Sequence, residues 1–508
     1  MQIEVIIEKK SHKLDAEEGK TILETLQEHG IHVLTAPCGG RGRCGKCTVE
    51  VEHMGEVLAC MTKVTDGMRI TIPEVQLRAQ KSKIAENGTV THYPADDGEG
   101  LDAACDIGTT TVVCHLIDGK TGEKLATVSE PSAQRSFGAD VLSRIQASEA
   151  GKLEILKEQI IFQIAQMLRT LQKKAGREEQ IHRLVVVGNT VMCHLFAGIS
   201  PVSIGVTPFM PQEFFGKEYT GEQLGLTDCR SVYIAPAVAG FVGGDITSDL
   251  LAVMQKNPKE KVLLLDIGTN GEMAVGNEEQ IYCCATAVGS AFEGAEMAMG
   301  MPAAVGAISH VWLDQRRIRV QVIGDEEACG ICGSGLIDAL AVILEMGLLD
   351  HTGLLKQKQS VSVAYRKYLG EYAGQPCVWL AHKVCVTQED IRGLQLAKAA
   401  FAAGMRILLQ DSHTPYEQLD HVVLAGGFGS YLKKESAAAI GLIPKELLPI
   451  TESVGNAAGE GAVSAAISQK AREQLLTIRK SMHYIELSTH PDFSQEYMDQ
   501  MDFDESKR

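Results

Sequence analysis

The sequence lacks long apolar runs and a basic N-terminus. None of its apolar stretches approaches the ~18–20 residues that a membrane-spanning helix needs. The first residues, Met1–Glu8, carry acid where a signal peptide carries base, and their apolar run is too short for one. These absences predict a cytoplasmic protein with no membrane partner.

Positive charge is also scarce. The 48 Lys and Arg residues are scattered and are outnumbered by 65 Asp and Glu residues, which gives a net charge of −17. A nucleic-acid-binding protein needs a basic surface, so this balance argues against that class of function. With 508 residues the chain is too long for one core, and we expect about two to four domains.

Cysteine, by contrast, is plentiful, with 14 residues. In a small secreted chain such a number indicates disulfides, but in a long cytoplasmic chain it indicates metal ligands or buried thiols. The pair Cys329 and Cys332 stands alone as a Cys-x-x-Cys motif among glycines. A tight turn before a helix is the interpretation we favour for this pair, and a redox or metal role stays open.

Four other cysteines form a close pattern near the N-terminus. Cys38, Cys44 and Cys47 share one glycine-rich loop, and Cys60 follows after twelve intervening residues. Four thiolates complete the ligand shell of a [2Fe–2S] cluster, and glycines let backbone N–H groups approach the sulfurs. A zinc site is the alternative, but zinc ribbons usually pair two short Cys-x-x-Cys turns. The pattern therefore predicts an iron–sulfur cluster.

The residues around this loop form a small predicted domain over 1–76. A helix over Thr21–His29 and strands at Thr48–Glu52 and Met68–Ile72 predict a domain of short strands around one helix. The next stretch is poor in apolar residues and rich in turn formers, so it predicts a flexible linker over 77–100.

From Leu101 onward the chain repeats one pattern. A buried strand ends in the polar glycine turn Asp106–Thr110, and Asp266–Asn270 repeats that turn 160 residues later. Each half then continues with a hairpin, a long helix and another strand, so we predict a duplicated α/β fold with a cleft between its halves. The predicted segments are a first lobe over 101–255, a second lobe over 256–470 and an acidic tail over 471–508.

The two Asp-x-Gly-Thr turns suit the phosphates of ATP. Glycine leaves room for a phosphate group, and backbone and Thr donors satisfy its oxygens. The Asp holds Mg²⁺, usually through water, because Mg²⁺ dehydrates reluctantly. A glycine pair after a later strand lets adenine and ribose lie against the backbone. The predicted nucleotide-binding residues are Gly108, Thr109, Thr110, Gly268, Thr269, Asn270, Gly271, Gly426, Gly427 and Phe428.

Three segments carry a family resemblance. Asp106–Thr110, Asp266–Gly271 and Ala425–Gly429 resemble the phosphate-1, phosphate-2 and adenosine motifs of the actin, hexokinase and heat-shock chaperone superfamily. Together with an N-terminal [2Fe–2S] domain they resemble the reductive activators of corrinoid proteins. The resemblance implies an α/β architecture, in which a β-grasp ferredoxin domain precedes a duplicated, two-lobed, actin-like ATPase.

The resemblance also implies a function and roles for residues. Members of that family are ATP-hydrolysing activases that reduce cobalt(II) in a corrinoid protein to cobalt(I), with electrons from an external low-potential donor. We assign Asp106 and Asp266 to the Mg²⁺ water shell and to positioning of the attacking water. Glu272 is a candidate for orienting that water, and a surface position at a strand start is its alternative. A homodimer stays open as the assembly.

Three other functions remain as alternatives. An ATP-driven electron donor to another low-potential metalloenzyme would use the same cofactors, although such donors generally hold a [4Fe–4S] cluster between two subunits. A small-molecule kinase with a redox-sensing ferredoxin domain would need a substrate-binding set with a catalytic base. A non-catalytic module would use ATP only as a clamp.

Overall fold

The N-terminal domain is a mixed five-stranded sheet with the order β2-β1-β5-β3-β4 and one helix against it. The helix begins at a capping box, in which Thr21 and Glu24 bond each other's backbone N–H groups. Ile3, Val5 and Leu26 are buried in the core between sheet and helix. The elements are β1 (Gln2–Ile7), β2 (Lys10–Asp15), α1 (Ile22–Glu28), β3 (Thr48–Val51), β4 (Gly55–Leu58) and β5 (Arg69–Thr71).

This structure is a computed structural model, and it does not describe every residue. The described residues are 1–73, 76, 87–90, 92–292, 294, 297–429 and 431–503. The side chains of Ser290 and Phe428 lie outside the description.

The first of the two predicted lobes is built on a six-stranded sheet with the order β10-β11-β9-β6-β7-β8. The predicted long helix is present, and its residues Leu156, Ile160 and Ile164 are buried against the sheet. Its strands are β6 (Leu101–Ile107), β7 (Thr111–Asp118), β8 (Lys124–Pro131), β9 (Ile181–Val187), β10 (Lys217–Thr220) and β11 (Cys229–Ile234). Its helices are α2 (Val141–Ala147), α3 (Leu153–Ala175), α4 (Thr190–Ala197), α5 (Gly221–Leu224) and α6 (Gly244–Met254).

The second lobe has a sheet with the order β22-β21-β12-β13-β14-β23 and two small three-stranded sheets, β16-β15-β17 and β18-β19-β20. Its strands are β12 (Val262–Ile267), β13 (Gly271–Gly276), β14 (Ile281–Thr286), β15 (Ala307–Asp314), β16 (Arg317–Val322), β17 (Gly330–Ile331), β18 (Leu369–Tyr372), β19 (Gln375–Ala381), β20 (Val384–Thr387), β21 (His421–Ala425), β22 (Thr451–Gly455) and β23 (Met482–Tyr484). Its helices are α7 (Gly333–Glu345), α8 (Gln388–Asp411), α9 (Gly426–Gly429), α10 (Lys434–Ala439), α11 (Ala457–Ile467), α12 (Gln469–Ser481) and α13 (Phe493–Asp499).

The two lobes share one strand topology, which confirms the predicted duplication. β6 pairs antiparallel with β7 and parallel with β9, and β12 pairs antiparallel with β13 and parallel with β21. In the parallel registers Asp106 lies opposite Val187, and Asp266 lies opposite Ala425. Each Asp is therefore at the end of its strand, beside the turn that follows the neighbouring strand.

Helices α6 and α11 lie between the two sheets. One apolar cluster contains buried residues from both sheets together with residues of these two helices and of α12. Val185 and Leu264, for example, belong to opposite lobes and to the same cluster. The lobes therefore meet in a shared core, and the cleft for a ligand opens at the ends of their strands.

The described part of the predicted linker is attached to the ATPase domain rather than flexible. Gly88 N–H donates to Glu460 Oε1 (2.6 Å), and His92 Nε2 lies 2.5 Å from Glu460 Oε2. Asp97 forms ion pairs with Arg183 and Arg472. Polar side chains thus hold residues 87–90 and 92–100 against α11 and α12. The low apolar content of this stretch did not predict these contacts.

The predicted acidic tail also differs from expectation. Leu475 and Ile478 of α12 are buried between the lobes, and β23 pairs parallel with β14. Farther along, Phe503 is 2% exposed, and its N–H donates to the His351 carbonyl (2.8 Å). As far as residue 503, this segment is part of the second lobe because its apolar residues complete that lobe's core.

Candidate functional site

The four N-terminal cysteines lie together as two pairs. Cys38 Sγ and Cys44 Sγ are 3.3 Å apart, and the thiols of Cys47 and Cys60 interact directly. Cys47 and Cys60 are buried, whereas the other two are half-buried. A two-iron cluster takes two thiolates on each iron, so an arrangement in pairs fits such a ligand set.

Backbone N–H groups of the cysteine loop point at its sulfurs. Burial raises the pKa of the Cys38 thiol, but N–H donors from Cys44, Arg43 and Arg41 outweigh it and lower that pKa to about 7. Burial and neighbouring sulfurs raise the pKa of Cys47 to about 12. Four thiolates so close together require a cationic centre, which an iron–sulfur cluster supplies.

A single-ion site is not formed. In the described part of the chain, no three His, Cys, Asp or Glu side chains are arranged to hold one metal ion. Positive φ angles at Gly39, Gly40, Gly42 and Gly45 (62°, 82°, 70° and 66°) give the loop the turns it needs to bring the sulfurs to one side.

The predicted phosphate loops come together in the cleft. Thr110 Oγ1 of the first loop and Thr269 Oγ1 of the second lie 3.5 Å apart. Asn189, from the turn after β9, donates to Thr109 Oγ1 (3.0 Å). The two halves therefore present hydroxyl and amide groups to one space, as the repeated sequence pattern predicted.

The predicted adenosine turn lies beside the second loop. At Gly426, where φ is 85°, a Cβ would lie 2.1 Å from Asp266 Oδ1, so only glycine fits there. A Cβ at Gly427 would meet no atom within 4 Å, so this backbone is open to a flat ligand. The Phe428 side chain, predicted to contact nucleotide, lies outside the described structure.

Five carboxyl groups are concentrated under the phosphate loops. Burial raises the pKa of Asp106 to about 7, of Asp245 to about 6 and of Asp266 to about 8. Burial and the neighbouring carboxylates raise the pKa of Asp249 and Glu272 well above their usual range. Both Asp249 carboxylate oxygens are buried without a hydrogen-bond partner among the described residues. We call this group the acid cluster. Its excess negative charge fits a divalent cation bound through its waters, since no three of the described carboxyls are arranged to ligate one ion directly.

Sequence reasoning missed several residues of this site. Asp245 and Asp249 lie four residues apart on α6, so they share one face of an otherwise apolar helix. A glycine pair followed by two acidic residues at this spacing is a sequence pattern that could have indicated these two residues. Asn456 caps α11 and bonds the Asp106 carboxyl, and buried Arg144 donates to the Thr109 carbonyl. Those two contacts join residues far apart in the chain.

The acid cluster predicts a pH-dependent response to Mg²⁺. The pKa values of these carboxyls in the folded protein lie above the ~4 of an unfolded carboxyl, so the cluster's own contribution to stability is greatest below that pH and is lost as pH rises toward 8. Each pKa unit corresponds to ~1.4 kcal/mol. Because Mg²⁺ offsets the repulsion, we expect it to raise the Tm by several degrees at pH 8 and by little at pH 5.

Thermal unfolding of the anaerobic holoprotein measures this effect, with Na⁺ at equal ionic strength as the control. In Asp249→Asn the fall of Tm with pH should be smaller, because one buried carboxylate is removed. Equal effects of Mg²⁺ and Na⁺ at pH 8 would contradict a cation site here.

The lone Cys-x-x-Cys pair lies in the second lobe, beside the loop 297–301. Cys329 is exposed, and its Sγ is 3.8 Å from Met301 Sδ. Cys332 is buried at the start of α7, and its thiol donates to the Ile308 carbonyl (3.4 Å). The motif leads into a helix, as predicted, but the predicted tight turn is wrong: Gly330–Ile331 is the short strand β17, paired with β15, and α7 follows it directly from Gly333.

Comparison with protein-family models divides the chain into three matched parts. Residues 4–74 match a 2Fe-2S iron-sulfur cluster binding domain, residues 101–257 match the RACo middle region, and residues 260–508 match the C-terminal domain of RACo, the ASKHA domain. No helix among the described residues is both long and apolar enough to cross a membrane.

Whole-chain relatives agree with these models. The corrinoid activation enzyme RamQ of Eubacterium limosum is 31% identical over 557 residues, which covers 92% of this chain and 93% of RamQ. The [Co(II) methylated amine-specific corrinoid protein] reductase of Methanosarcina barkeri is 24% identical, covering 79% of this chain and 76% of the reductase. A solved reductive activator for corrinoid, iron-sulfur protein superposes with a TM-score of 0.71 at 28% identity, covering 98% of both chains.

These matches confirm the predicted order of domains. A [2Fe–2S] domain is followed by an ASKHA domain, the actin-like ATPase type named after its sugar kinase, chaperone and actin members. The chain belongs to the RACo family of ATP-dependent reductive activases.

Proposed function

We propose that this protein uses ATP to reduce cobalt(II) in a corrinoid protein to cobalt(I), one electron at a time. One chain contains four cysteines that lie together in two pairs, and also an ATPase cleft with the acid cluster beneath it. This combination is the observation that carries the proposal. Relatives named for corrinoid activation and for Co(II) corrinoid protein reduction support this substrate class. A kinase or an actin-like clamp of the same fold would not require the cysteine loop for its function.

When bound, the [2Fe–2S] cluster supplies a one-electron carrier and Mg-ATP supplies free energy. Cys38, Cys44, Cys47 and Cys60 would hold the cluster, and an external low-potential donor would refill it. The backbone donors around Cys38 would stabilise its thiolate and so set the potential.

The nucleotide residues act by positioning and charge. Thr109, Thr110 and Thr269 would donate to phosphate oxygens, while Asp106 and Asp266 would hold Mg²⁺ through its waters. Glu272 is 5% exposed, and Asn270 donates to its carboxyl, so it faces the cleft interior and would orient the attacking water. Asp245 is a second candidate for that role, because burial keeps its pKa near 6 and lets it accept a proton.

ATP is needed because the electron transfer is uphill. A one-electron gap of ~200 mV corresponds to about 5 kcal/mol, at 59 mV and 1.4 kcal/mol per tenfold change in equilibrium. Differential binding of two conformations of an ATPase supplies free energies of that size. The cytoplasm is the compartment that provides both ATP and reduced thiols.

The test follows the visible spectrum of a cob(II)alamin-containing corrinoid protein mixed anaerobically with reduced protein. We expect little cobalt(I) without nucleotide and at least about a tenfold higher yield with Mg-ATP, since the step is uphill. A non-hydrolysable analogue should not sustain turnover. The matched variant Cys60→Ala should hydrolyse ATP and yield no cobalt(I).

Two outcomes would overturn this function. One is cobalt(I) formation that is independent of nucleotide. The other is ATP hydrolysis that ignores every corrinoid protein offered and phosphorylates a sugar or small acid, which would establish the kinase alternative.

A further inference from the structure

The cysteine loop of the ferredoxin domain contacts both lobes of the ATPase domain. On the first lobe, the Ala139 N–H donates to the Pro37 carbonyl (3.1 Å), and the Arg41 guanidinium bonds the Gln146 side chain. On the second lobe, Lys46 Nζ donates to the carbonyls of Met297 (3.0 Å) and Gly300 (3.3 Å). The loop that would hold the cluster therefore bridges the two halves of the ATPase.

The first-lobe surface of this contact is residues 132–147, which we call the docking segment. A Cβ at Gly39 would lie 3.2 Å from the Phe137 carbonyl oxygen, so glycine allows the cysteine loop to approach the segment closely. Gln27 Nε2 also donates to the Ser136 carbonyl (2.6 Å). Several backbone contacts thus tie the ferredoxin domain to this one segment.

The docking segment is bonded directly to the first phosphate loop. The Ser132 N–H donates to the Thr110 carbonyl (2.9 Å), and Arg144 donates to the Thr109 carbonyl. Arg144 is fully buried and also reaches the Gly138 carbonyl (3.4 Å). A displacement of the phosphate loop is therefore transmitted to the segment on which the cysteine loop rests.

The second-lobe contact is fixed to a different element. The Ala298 N–H donates to Asp390 Oδ1 (2.8 Å), and Asp390 belongs to the capping box that begins α8. The Ile331 N–H donates to the Met299 carbonyl (2.9 Å), which joins the same loop to β17. Lys46 is therefore bonded to a part of the second lobe that moves with α8 rather than with the docking segment.

The present separation of the phosphate loops has no room for a phosphate group. Thr110 Oγ1 and Thr269 Oγ1 are 3.5 Å apart. Two hydroxyls that hold a phosphate group between them, each at hydrogen-bond distance, must be at least about 5 Å apart. A nucleotide that binds both loops therefore has to displace these hydroxyls, and any shift of the loops that accompanies this moves the two surfaces bridged by the cysteine loop relative to each other.

We propose that Lys46 is a nucleotide-sensitive latch that holds the ferredoxin domain across the two lobes and releases the second lobe when nucleotide binds. The ferredoxin domain stays with the docking segment, because its contacts there are several and involve backbone. The contacts of Lys46 with Met297 and Gly300 are made by one flexible side chain, so they break first. Only the use of the released loop, to meet a partner protein, rests on the proposed function.

Hydrogen–deuterium exchange on the anaerobic full-length holoprotein tests the latch without any corrinoid partner. With Mg²⁺ and a non-hydrolysable ATP analogue, we expect exchange in peptides that cover 297–301 to rise at least threefold. Lys46→Ala should show this raised exchange without nucleotide and little further change with it. The control Lys63→Ala removes an exposed lysine of the same domain and should respond like the unaltered protein.

Three results would overturn the latch. The bound ATP analogue could leave hydrogen–deuterium exchange at 297–301 unchanged, or it could lower it. In either case a rise in the Tm of the protein would show that the analogue is bound. Alternatively, Lys46→Ala could match Lys63→Ala in every condition. Failure of cobalt reduction with a normal exchange response would count against the proposed function and leave the latch intact.

Discussion

Asp266→Asn will lower the rate of ATP hydrolysis by roughly 100-fold or more, and it will leave the visible spectrum of the cluster unchanged. Phosphoryl transfer is catalysed almost entirely by positioning and electrostatics, and loss of one such contact typically costs at least this factor. Asp266 lies at the end of β12, next to Gly426 and within the acid cluster, and we expect its carboxylate to hold Mg²⁺ through the waters of the ion. Asp106→Asn is expected to behave in the same way.

A second measurement distinguishes this loss of catalysis from loss of folding. Burial raises the pKa of Asp266 to about 8, so a neutral amide removes an unfavourable ionisation and should raise the Tm of the nucleotide-free protein above pH 7. Asp314→Asn, on the exposed β15–β16 hairpin, is the control and should affect neither property. Hydrolysis at a near-normal rate in both cleft variants would show that the Mg²⁺ site lies elsewhere.

Cys60→Ala will remove most of the iron and sulfide that the anaerobically purified protein holds, which we expect to be about two of each per chain. Cys60 is buried after β4 and its thiol interacts with that of Cys47, so no other cysteine of the described ferredoxin domain is placed to replace it. With three thiolates, one iron of the cluster lacks a protein ligand, so the cluster is held less firmly.

Iron, sulfide and zinc analysis of the purified variant measures this effect. Cys329→Ala is the matched control, because Cys329 is exposed and lies in the second lobe, and it should keep the full cluster. ATP hydrolysis should continue in both variants, since the cleft residues are unchanged. Stoichiometric zinc without sulfide in the unaltered protein would contradict the cluster assignment.

The features predicted from sequence are those that depend on neighbouring residues. Three cysteines on a loop with four glycines must lie close together whatever surrounds them, because glycine turns and chain length leave few alternatives. The starts of α1 and α8 follow from their capping boxes, Thr21 with Glu24 and Thr387 with Asp390. The duplication followed from two copies of one strand-and-turn pattern.

The features that the sequence patterns did not predict depend on contacts between residues that are distant in the chain. The composition of the linker indicated an unstructured segment. In the fold, Glu460 accepts a hydrogen bond from the Gly88 N–H and pairs with His92 and Lys124. These contacts lower the pKa of Glu460 to about 2 despite its burial. Such a carboxylate stabilises the fold at neutral pH through charge pairing that no local pattern reveals. The acidic tail likewise contains the apolar residues that complete the second lobe.

The sequence by itself determined the order of the domains, and it was enough to predict the cluster ligands and the two phosphate turns, because each depends on a few residues close together in the chain. Only the tertiary structure brought Asp245 and Asp249 of α6 under those turns, and only it placed Lys46 against the second lobe. Both depend on how helices pack between two sheets and how one domain rests on another. Burial energy over the whole core sets that packing, so long-range contacts, rather than local preferences, complete the site.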